Sequence, residues 1–155
     1  MPTDKAVAKK TNGTFRIGCA VQCTIKAGAD RIWALITDAP GFPRWNSTVT
    51  SLEGPIVLGG VLKLRVPSAP GRVFKPKVTT FEQGKKMVWS DGLAPMFKGV
   101  RTYSLAPAPN GSTVFSMHEE FSGLMLPMIK GSLPDFVPIF ETYAEDLRRE
   151  AEGKA

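Results

Sequence analysis

The sequence is poor in the residues that build metal centres and nucleophilic active sites, because its 155 residues include one histidine and two cysteines. Cys19 and Cys23 lie in one strand-like segment without the Cys-x-x-Cys spacing of a zinc site. Residues so spaced on a strand are about 13 Å apart, which is too far for a disulfide. No P-loop, Gly-x-Gly-x-x-Gly turn or Gly-x-Ser-x-Gly elbow is present either. The sequence therefore predicts no metal and no cofactor.

Long apolar runs are also missing, since none approaches the roughly eighteen residues that a membrane-spanning helix needs. The opening stretch, MPTDKAVAKKTNG, lacks the apolar core of a signal peptide. We therefore expect no stable membrane insertion, a cytoplasmic location, and a flexible basic tail over residues 1–13. The net charge of +6 comes from short, separate clusters of lysine and arginine, which predict a solvated surface and no nucleic-acid partner.

Hydrophobic patterning is what the sequence offers in place of motifs. Residues 14–26 alternate between apolar and polar side chains, which predicts a long strand with one buried face. Residues 29–37 switch to helical spacing, and the prolines and glycine that follow favour a second short helix or turn around Pro43–Trp45. Residues 47–122 then have the pattern of about six short strands separated by turns.

The C-terminal segment has a different period, because its apolar residues recur at the i, i+3, i+4 spacing of an amphipathic helix. These residues are Phe136, Ile139, Phe140, Tyr143 and Leu147. The order of elements predicts an α+β fold, in which a curved antiparallel sheet is covered by one major helix. We expect residues 14–152 to form a single domain.

The stretch STVFSMHEEFSG, residues 112–123, places a carboxylate on an apolar face. In a strand, Glu119 shares one face with Phe115 and Phe121, whereas His118 lies on the other face. His118 is therefore expected on the surface.

A hairpin with its turn at Asn110-Gly111 gives this carboxylate a partner. In the register that the turn favours, Tyr103 lies opposite Met117 and Arg101 lies opposite Glu119. A buried carboxylate without a partner would be costly, so we predict an Arg101–Glu119 ion pair on the concave wall of the sheet. Three roles remain open for the pair: stabilising the fold, contacting a ligand, or acid–base catalysis. A neighbouring arginine favours the charged carboxylate and so opposes the third role.

Three segments carry a resemblance to a known family: ADRIWALITDAPGFPRWNSTV (29–49), GVRTYSLAP (99–107) and HEEFSGLMLP (118–127). With LRREAE near the end, they resemble the START-like superfamily, also called SRPBCC, which includes polyketide cyclases and pollen-allergen-type lipid binders. The resemblance covers roughly residues 15–152. It implies a helix-grip fold, with a curved antiparallel sheet of about seven strands wrapped around a long C-terminal helix and two short helices after strand 1.

The resemblance also implies a hydrophobic small molecule in a cavity between the sheet and the long helix, on the order of several hundred Å³. We predict that aromatic, methionine and leucine side chains line this cavity and that a few polar groups complete it. The predicted ligand-binding residues are Trp45, Phe74, Trp89, Arg101, Tyr103, Met117, Glu119, Phe121, Leu124, Met128, Phe136 and Phe140.

These observations predict a protein, a monomer or weak dimer, that binds or carries a lipid, polyketide or other apolar metabolite. The alternative is an enzyme of the cyclase, aromatase or dehydratase kind, with Glu119, Arg101 and Tyr103 as its catalytic residues. A second alternative is a protein-interaction module that uses residues 121–138, where apolar side chains stand among glycines and prolines.

Overall fold

The computed structural model describes residues 5–153, which form an α+β structure. Its strands are β1 (Val7–Thr11), β2 (Arg16–Ile25), β3 (Ser51–Glu53), β4 (Lys63–Arg65), β5 (Lys77–Glu82), β6 (Lys86–Leu93), β7 (Phe97–Pro107) and β8 (Thr113–Ser122). Its α-helices are α1 (Ala29–Ile36), α2 (Phe42–Trp45), α3 (Leu126–Ile129) and α4 (Phe136–Ala151). No helix within residues 5–153 combines the length and the apolar character needed to cross a membrane.

The main sheet is antiparallel, with the spatial order β1-β2-β8-β7-β6-β5. β3 and β4 are three residues each and pair with each other in a separate two-stranded sheet. The predicted helix-grip arrangement is confirmed, although the main sheet has six strands where about seven were predicted. The two short helices predicted after the first strand are α1 and α2. They follow β2, because β1 is an additional strand that precedes the predicted first strand.

α4 is the long helix, and its aromatic side contacts the sheet. The Asp135 carboxylate accepts a hydrogen bond from the Val137 amide at 3.1 Å, so the helix begins at Phe136 and not at Pro134. At the other end, Arg31 of α1 donates from Nε to the Ala151 carbonyl at 2.7 Å and satisfies one of the free carbonyls of the last turn. Both ends of α4 are therefore fixed by side chains.

The N-terminal strand β1 occupies part of the region predicted as a flexible tail. It pairs with β2 along Val7–Thr11, and α4 also holds it. The Glu145 carboxylate accepts from the Ala6 amide at 2.9 Å, and the Glu141 carboxylate accepts from the Ala8 amide at 3.1 Å. The prediction of a loose segment is therefore wrong for residues 7–11, while residues 1–4 lie outside the described part of the chain.

Candidate functional site

The predicted ion pair is present on the concave wall. Arg101 lies opposite Glu119 in the β7–β8 register, and both its Nε, at 2.7 Å, and its Nη2, at 2.5 Å, reach the same oxygen, Glu119 Oε1. Glu119 Oε2 accepts no hydrogen bond within residues 5–153. The pair is mostly shielded from solvent, since the side chains are 20% and 14% exposed.

α4 covers this pair with an aromatic ring. The Arg101 guanidinium carbon lies 5.1 Å from the centroid of the Phe140 ring, which is fully buried. Burial by itself would lower the pKa of Arg101, but the adjacent Glu119 carboxylate and the hydroxyls of Tyr103 and Tyr143 together outweigh burial, and the pKa is raised. Arg101 is therefore a fixed positive charge under α4, and Glu119 is its counter-ion.

Aromatic rings fill the space between the sheet and α4. Trp89 and Tyr103 lie 5.0 Å apart, Tyr103 and Tyr143 6.2 Å, and Trp45 and Tyr143 5.9 Å, measured between ring centroids. The Phe115 ring stacks on Tyr143, with the centroids 6.1 Å apart. We call these five residues the aromatic cluster. Because their rings occupy the space, the expected open cavity of several hundred Å³ is not confirmed.

The aromatic cluster contains buried polar atoms without partners. Within the described residues, four of its donors make no hydrogen bond of ordinary geometry: Trp45 Nε1, Trp89 Nε1, Tyr103 Oη and Tyr143 Oη. The two hydroxyls nevertheless interact with each other, and the Tyr103 hydroxyl interacts with Arg101. Each such donor costs about 1–3 kcal/mol of folding free energy relative to water. Trp33 Nε1 is also without a partner, but Trp33 packs against Phe81 and has no ring contact with the cluster among residues 5–153. A concentration of unmet donors in one place marks a site for an acceptor.

Tyr103 and Tyr143 remain protonated donors at neutral pH. Burial raises the pKa of Tyr103 and offsets the opposing effect of Arg101, and burial raises the pKa of Tyr143 well above its usual value. These are the chain's two tyrosines.

Alkaline titration should report this burial directly. In the folded protein we expect little tyrosinate absorbance at pH 10, the ordinary pKa of tyrosine, and its abrupt appearance only when the protein unfolds. Since the unfolded chain releases protons that the folded chain keeps, stability should fall as the pH rises above that value. Tyrosinate absorbance that rises smoothly near pH 10, while circular dichroism stays native, would contradict this assignment.

Two openings flank the first turns of α4. The first, about 250 Å³, lies between β1, β2, β8 and the segment that leads into α4. Its lining residues are Lys10, Asn12, Ile17, Gly18, Cys19, Glu119, Phe121, Lys130, Leu133, Pro134, Asp135 and Phe136. The second, about 380 Å³, is a shallower groove on the other side, lined by Ser47, Thr48, Pro67, Ser68, Pro138, Ile139 and Thr142. We call the first of these the α4 opening.

Two stacked rings separate the α4 opening from the aromatic cluster. Phe121 and Phe136 both line the opening, and their centroids lie 5.2 Å apart. Phe136 in turn meets Phe140 at 6.0 Å, next to Arg101. Cys19 also lines the opening, where burial, together with the charges of Asp135 and Glu119, raises the pKa of its thiol. The thiol is therefore a poor nucleophile.

The structure brings most of the predicted site residues together. Trp45, Trp89 and Tyr103 belong to the aromatic cluster, and Met117 lies opposite Tyr103 in the β7–β8 register. Arg101 and Glu119 form the ion pair, and Phe121, Phe136 and Phe140 lie between it and the α4 opening. Phe74 lies elsewhere: it pairs with Leu64 and sits below Arg72 at 5.0 Å. Leu124 and Met128 are 59% and 76% exposed, so the structure does not place them in the interior.

Tyr143 and the charged rim of the α4 opening were not among the predicted site residues. The spacing of Phe136, Phe140 and Tyr143 places all three residues on one face of the helix. This spacing was sufficient to include Tyr143 among the predicted site residues. Lys10 and Lys130 gave no such signal, because a lysine in a polar stretch is ordinarily a solvated side chain. His118 is exposed as predicted, and no group of three or more metal-ligating side chains occurs in the described part of the chain.

Solved structures share this fold at low sequence identity. A START superfamily protein from Mycobacterium smegmatis has a TM-score of 0.62 and 18% identity, over 95% of this chain and 97% of that one. A point mutant of norcoclaurine synthase from Thalictrum flavum, in complex with a transition-state analogue, has a TM-score of 0.66 and 16% identity, over 91% and 97%. CalU16 from Micromonospora echinospora has a TM-score of 0.63 and 13% identity, over 97% and 85%. At these identities the likeness concerns the fold alone.

The family assignment comes from the sequence. A comparison with curated proteins found no match. The family model described as polyketide cyclase/dehydrase and lipid transport matches residues 17–152. This match covers almost all of the helix-grip fold, from the first residues of β2 to the end of α4. The resemblance seen in the sequence is confirmed, and the chain belongs to the polyketide cyclase/dehydrase and lipid transport family.

Proposed function

We propose that this protein binds an apolar small molecule that carries oxygen acceptors, and that it holds the molecule between α4 and the sheet. The observation that carries the proposal is the set of four unmet donors in the aromatic cluster. Tyrosine hydroxyls, indole N–H groups and a guanidinium all donate, so the complementary ligand group is a carbonyl, hydroxyl or ether oxygen. The surrounding rings suit an apolar carbon skeleton.

The ligand would enter through the α4 opening. The opening reaches Glu119 and Phe121 on one wall and Phe136 on the other. Displacement of the stacked Phe121 and Phe136 rings would connect it to Phe140 and the aromatic cluster. The segment before α4 contains Gly131 and Pro134, which interrupt regular structure between α3 and α4. Ligand binding would replace the contact between the Phe121 and Phe136 rings by contacts between these rings and the ligand.

Native mass spectrometry of the purified protein tests the proposal. We expect an apolar, oxygen-containing species to co-purify, and solvent extraction followed by mass analysis to identify its class. A protein that retains nothing, and that also fails to take up the apolar fluorophore 1-anilinonaphthalene-8-sulfonate, would contradict the proposal. That result would favour the protein-interaction module, which needs no ligand in the interior.

Catalysis on the bound molecule is a second candidate function, and one observation favours it. Glu119 Oε2 is free of hydrogen bonds, whereas Oε1 accepts one from Arg101 Nε and also forms the ion pair with Arg101 Nη2, and Glu119 lines the α4 opening. A carboxylate oxygen placed in this way could take a proton from a bound poly-carbonyl chain while Arg101 and Tyr103 polarise its oxygens. The variant Glu119→Gln separates the two functions. It should retain the co-purified species in both cases, and it should abolish turnover of that species only if Glu119 is a catalyst.

A further inference from the structure

A second surface of the molecule has a composition that the ligand site does not explain. It is the outward face of β4 and of the neighbouring segment 73–77. Bridges join Val61 to Lys77 and Leu64 to Phe74, and the Leu62 amide donates to the Pro76 carbonyl at 2.8 Å. In this register Lys63 lies directly opposite Lys75.

Alternation along both segments decides which side chains face solvent. Leu62 is fully buried, and Pro76 is buried opposite it. The residues between them point outward and are exposed: Val61, Lys63, Arg65, Val73, Lys75 and Lys77. We call this face the basic ribbon. Arg72 lies at its edge and is also exposed.

The positive charges of the basic ribbon are not neutralised within the molecule. Among the described residues, none of its lysines and arginines forms a salt bridge or a side-chain hydrogen bond, and Arg72 forms only its contact with the Phe74 ring. Two lysines placed opposite each other on neighbouring strands repel and destabilise the pairing. β3, the segment 61–65 and the segment 73–77 together contain one acidic residue, Glu53 of β3, which lies opposite Lys63. A surface with this charge balance is complementary to an anionic partner.

Exposed aliphatic side chains accompany these cations. Val57 and Leu58 are 50% and 66% exposed, and Val61 and Val73 are 54% and 38% exposed. The Gly59 amide donates to the Val78 carbonyl at 2.8 Å, so the turn that carries Leu58 lies beside the Lys77 end of the basic ribbon. The combination of cations with protruding aliphatic groups is the composition of surfaces that rest on lipid headgroups.

We propose that the basic ribbon, with the turn at Val57–Leu58, docks the protein on an anionic lipid bilayer. The cations would contact lipid phosphates, and the aliphatic side chains would enter the boundary between headgroups and acyl chains. A single-stranded nucleic acid is less suited to this surface, because its bases need exposed aromatic rings to stack on and the exposed apolar groups here are aliphatic. The proposal rests on surface charge and exposure and holds whatever the interior binds.

Vesicle co-sedimentation tests the proposal on the full chain. The vesicles contain 70% phosphatidylcholine and 30% phosphatidylglycerol, with phosphatidylcholine alone as the neutral comparison. We expect binding to the anionic vesicles that weakens from 0.1 M to 0.5 M NaCl, since salt screens surface charges. The variant Lys63→Gln/Lys75→Gln should lower the partition coefficient roughly tenfold or more, because each cation contributes measurably near an anionic surface. Leu58→Ser should lower it several-fold.

Matched variants elsewhere on the surface serve as controls. Lys85→Gln/Lys86→Gln removes the same charge at the β5–β6 turn, and Leu93→Ser removes a leucine at the end of β6 that is 75% exposed, compared with 66% for Leu58. Both should bind vesicles as the wild type does, and no variant should have a melting temperature below that of the wild type. Equal losses in the controls and the ribbon variants would overturn the proposal. So would equal binding to neutral vesicles, or binding to a single-stranded RNA oligonucleotide without binding to vesicles.

Discussion

Replacing Tyr103 or Tyr143 with phenylalanine is expected to make the protein more stable and to make it lose its ligand. Each substitution keeps the ring in place and removes a buried hydroxyl that makes no hydrogen bond of ordinary geometry among residues 5–153. Removal of an unmet buried donor should raise the free energy of unfolding by about 1 kcal/mol. The same hydroxyls are the donors proposed to meet the ligand oxygen, so retention of the co-purified species should fall roughly tenfold or more. Chemical denaturation of ligand-free protein measures the first effect, and native mass spectrometry of the protein as purified measures the second.

Thr113→Val provides the contrast, because the buried Thr113 hydroxyl already donates to the Ala27 carbonyl at 2.8 Å. This variant should lose about 1 kcal/mol of stability and retain the ligand as the wild type does. Opposite signs for stability and binding at the two tyrosines separate a ligand site from a structural one. If Tyr103→Phe and Tyr143→Phe both lower stability and leave retention unchanged, the hydroxyls belong to the fold and the proposed site is wrong.

Patterning predicted the β7–β8 hairpin and the ion pair because all of the information is local. Alternation fixes which face each residue takes, and an Asn-Gly turn fixes the register. The turn has the required left-handed geometry, with φ of 61° at Asn110 and 74° at Gly111. Once that register is set, Arg101 must lie opposite Glu119, and no knowledge of α4 is needed.

The features that patterning missed depend on distant parts of the chain. The segment VAKKT of β1 has no apolar alternation, and it is ordered by β2 and by two glutamates of α4 that are 133 and 139 residues away. Leu124 and Met128 are as apolar as the core residues. Their exposure to solvent depends on how the segment between β8 and α4 packs, which the sequence pattern does not reveal. Likewise, the stripe on α4 identified Tyr143 as buried, but a missing partner for its hydroxyl has no signature in the sequence.

Breaking the Arg101–Glu119 pair is expected to have the largest effect on stability. Glu119→Met leaves the Arg101 guanidinium beneath Phe140 without its counter-ion, and loss of one partner of a mostly buried pair costs about 3–5 kcal/mol. The double variant Arg101→Met/Glu119→Met removes both charges and fills the space with side chains of similar length. It should recover most of that loss, because exchanging a buried pair for apolar groups is often neutral.

The exposed pair between Arg16 and Glu120 is the matched control, since it also ends on β8 but Arg16 is 71% exposed and the two charges are 3.5 Å apart. Glu120→Met should change the free energy of unfolding by no more than about 0.5 kcal/mol, as for most solvent-exposed ion pairs. Denaturation of the four proteins of the Arg101–Glu119 cycle gives the coupling energy directly. A coupling below about 0.5 kcal/mol would mean that water screens the pair as it screens an exposed one. Arg101 could then donate to a ligand oxygen with little loss of stability. A large coupling would instead mean that Glu119 holds Arg101 in place and that the tyrosines are the principal donors to the ligand.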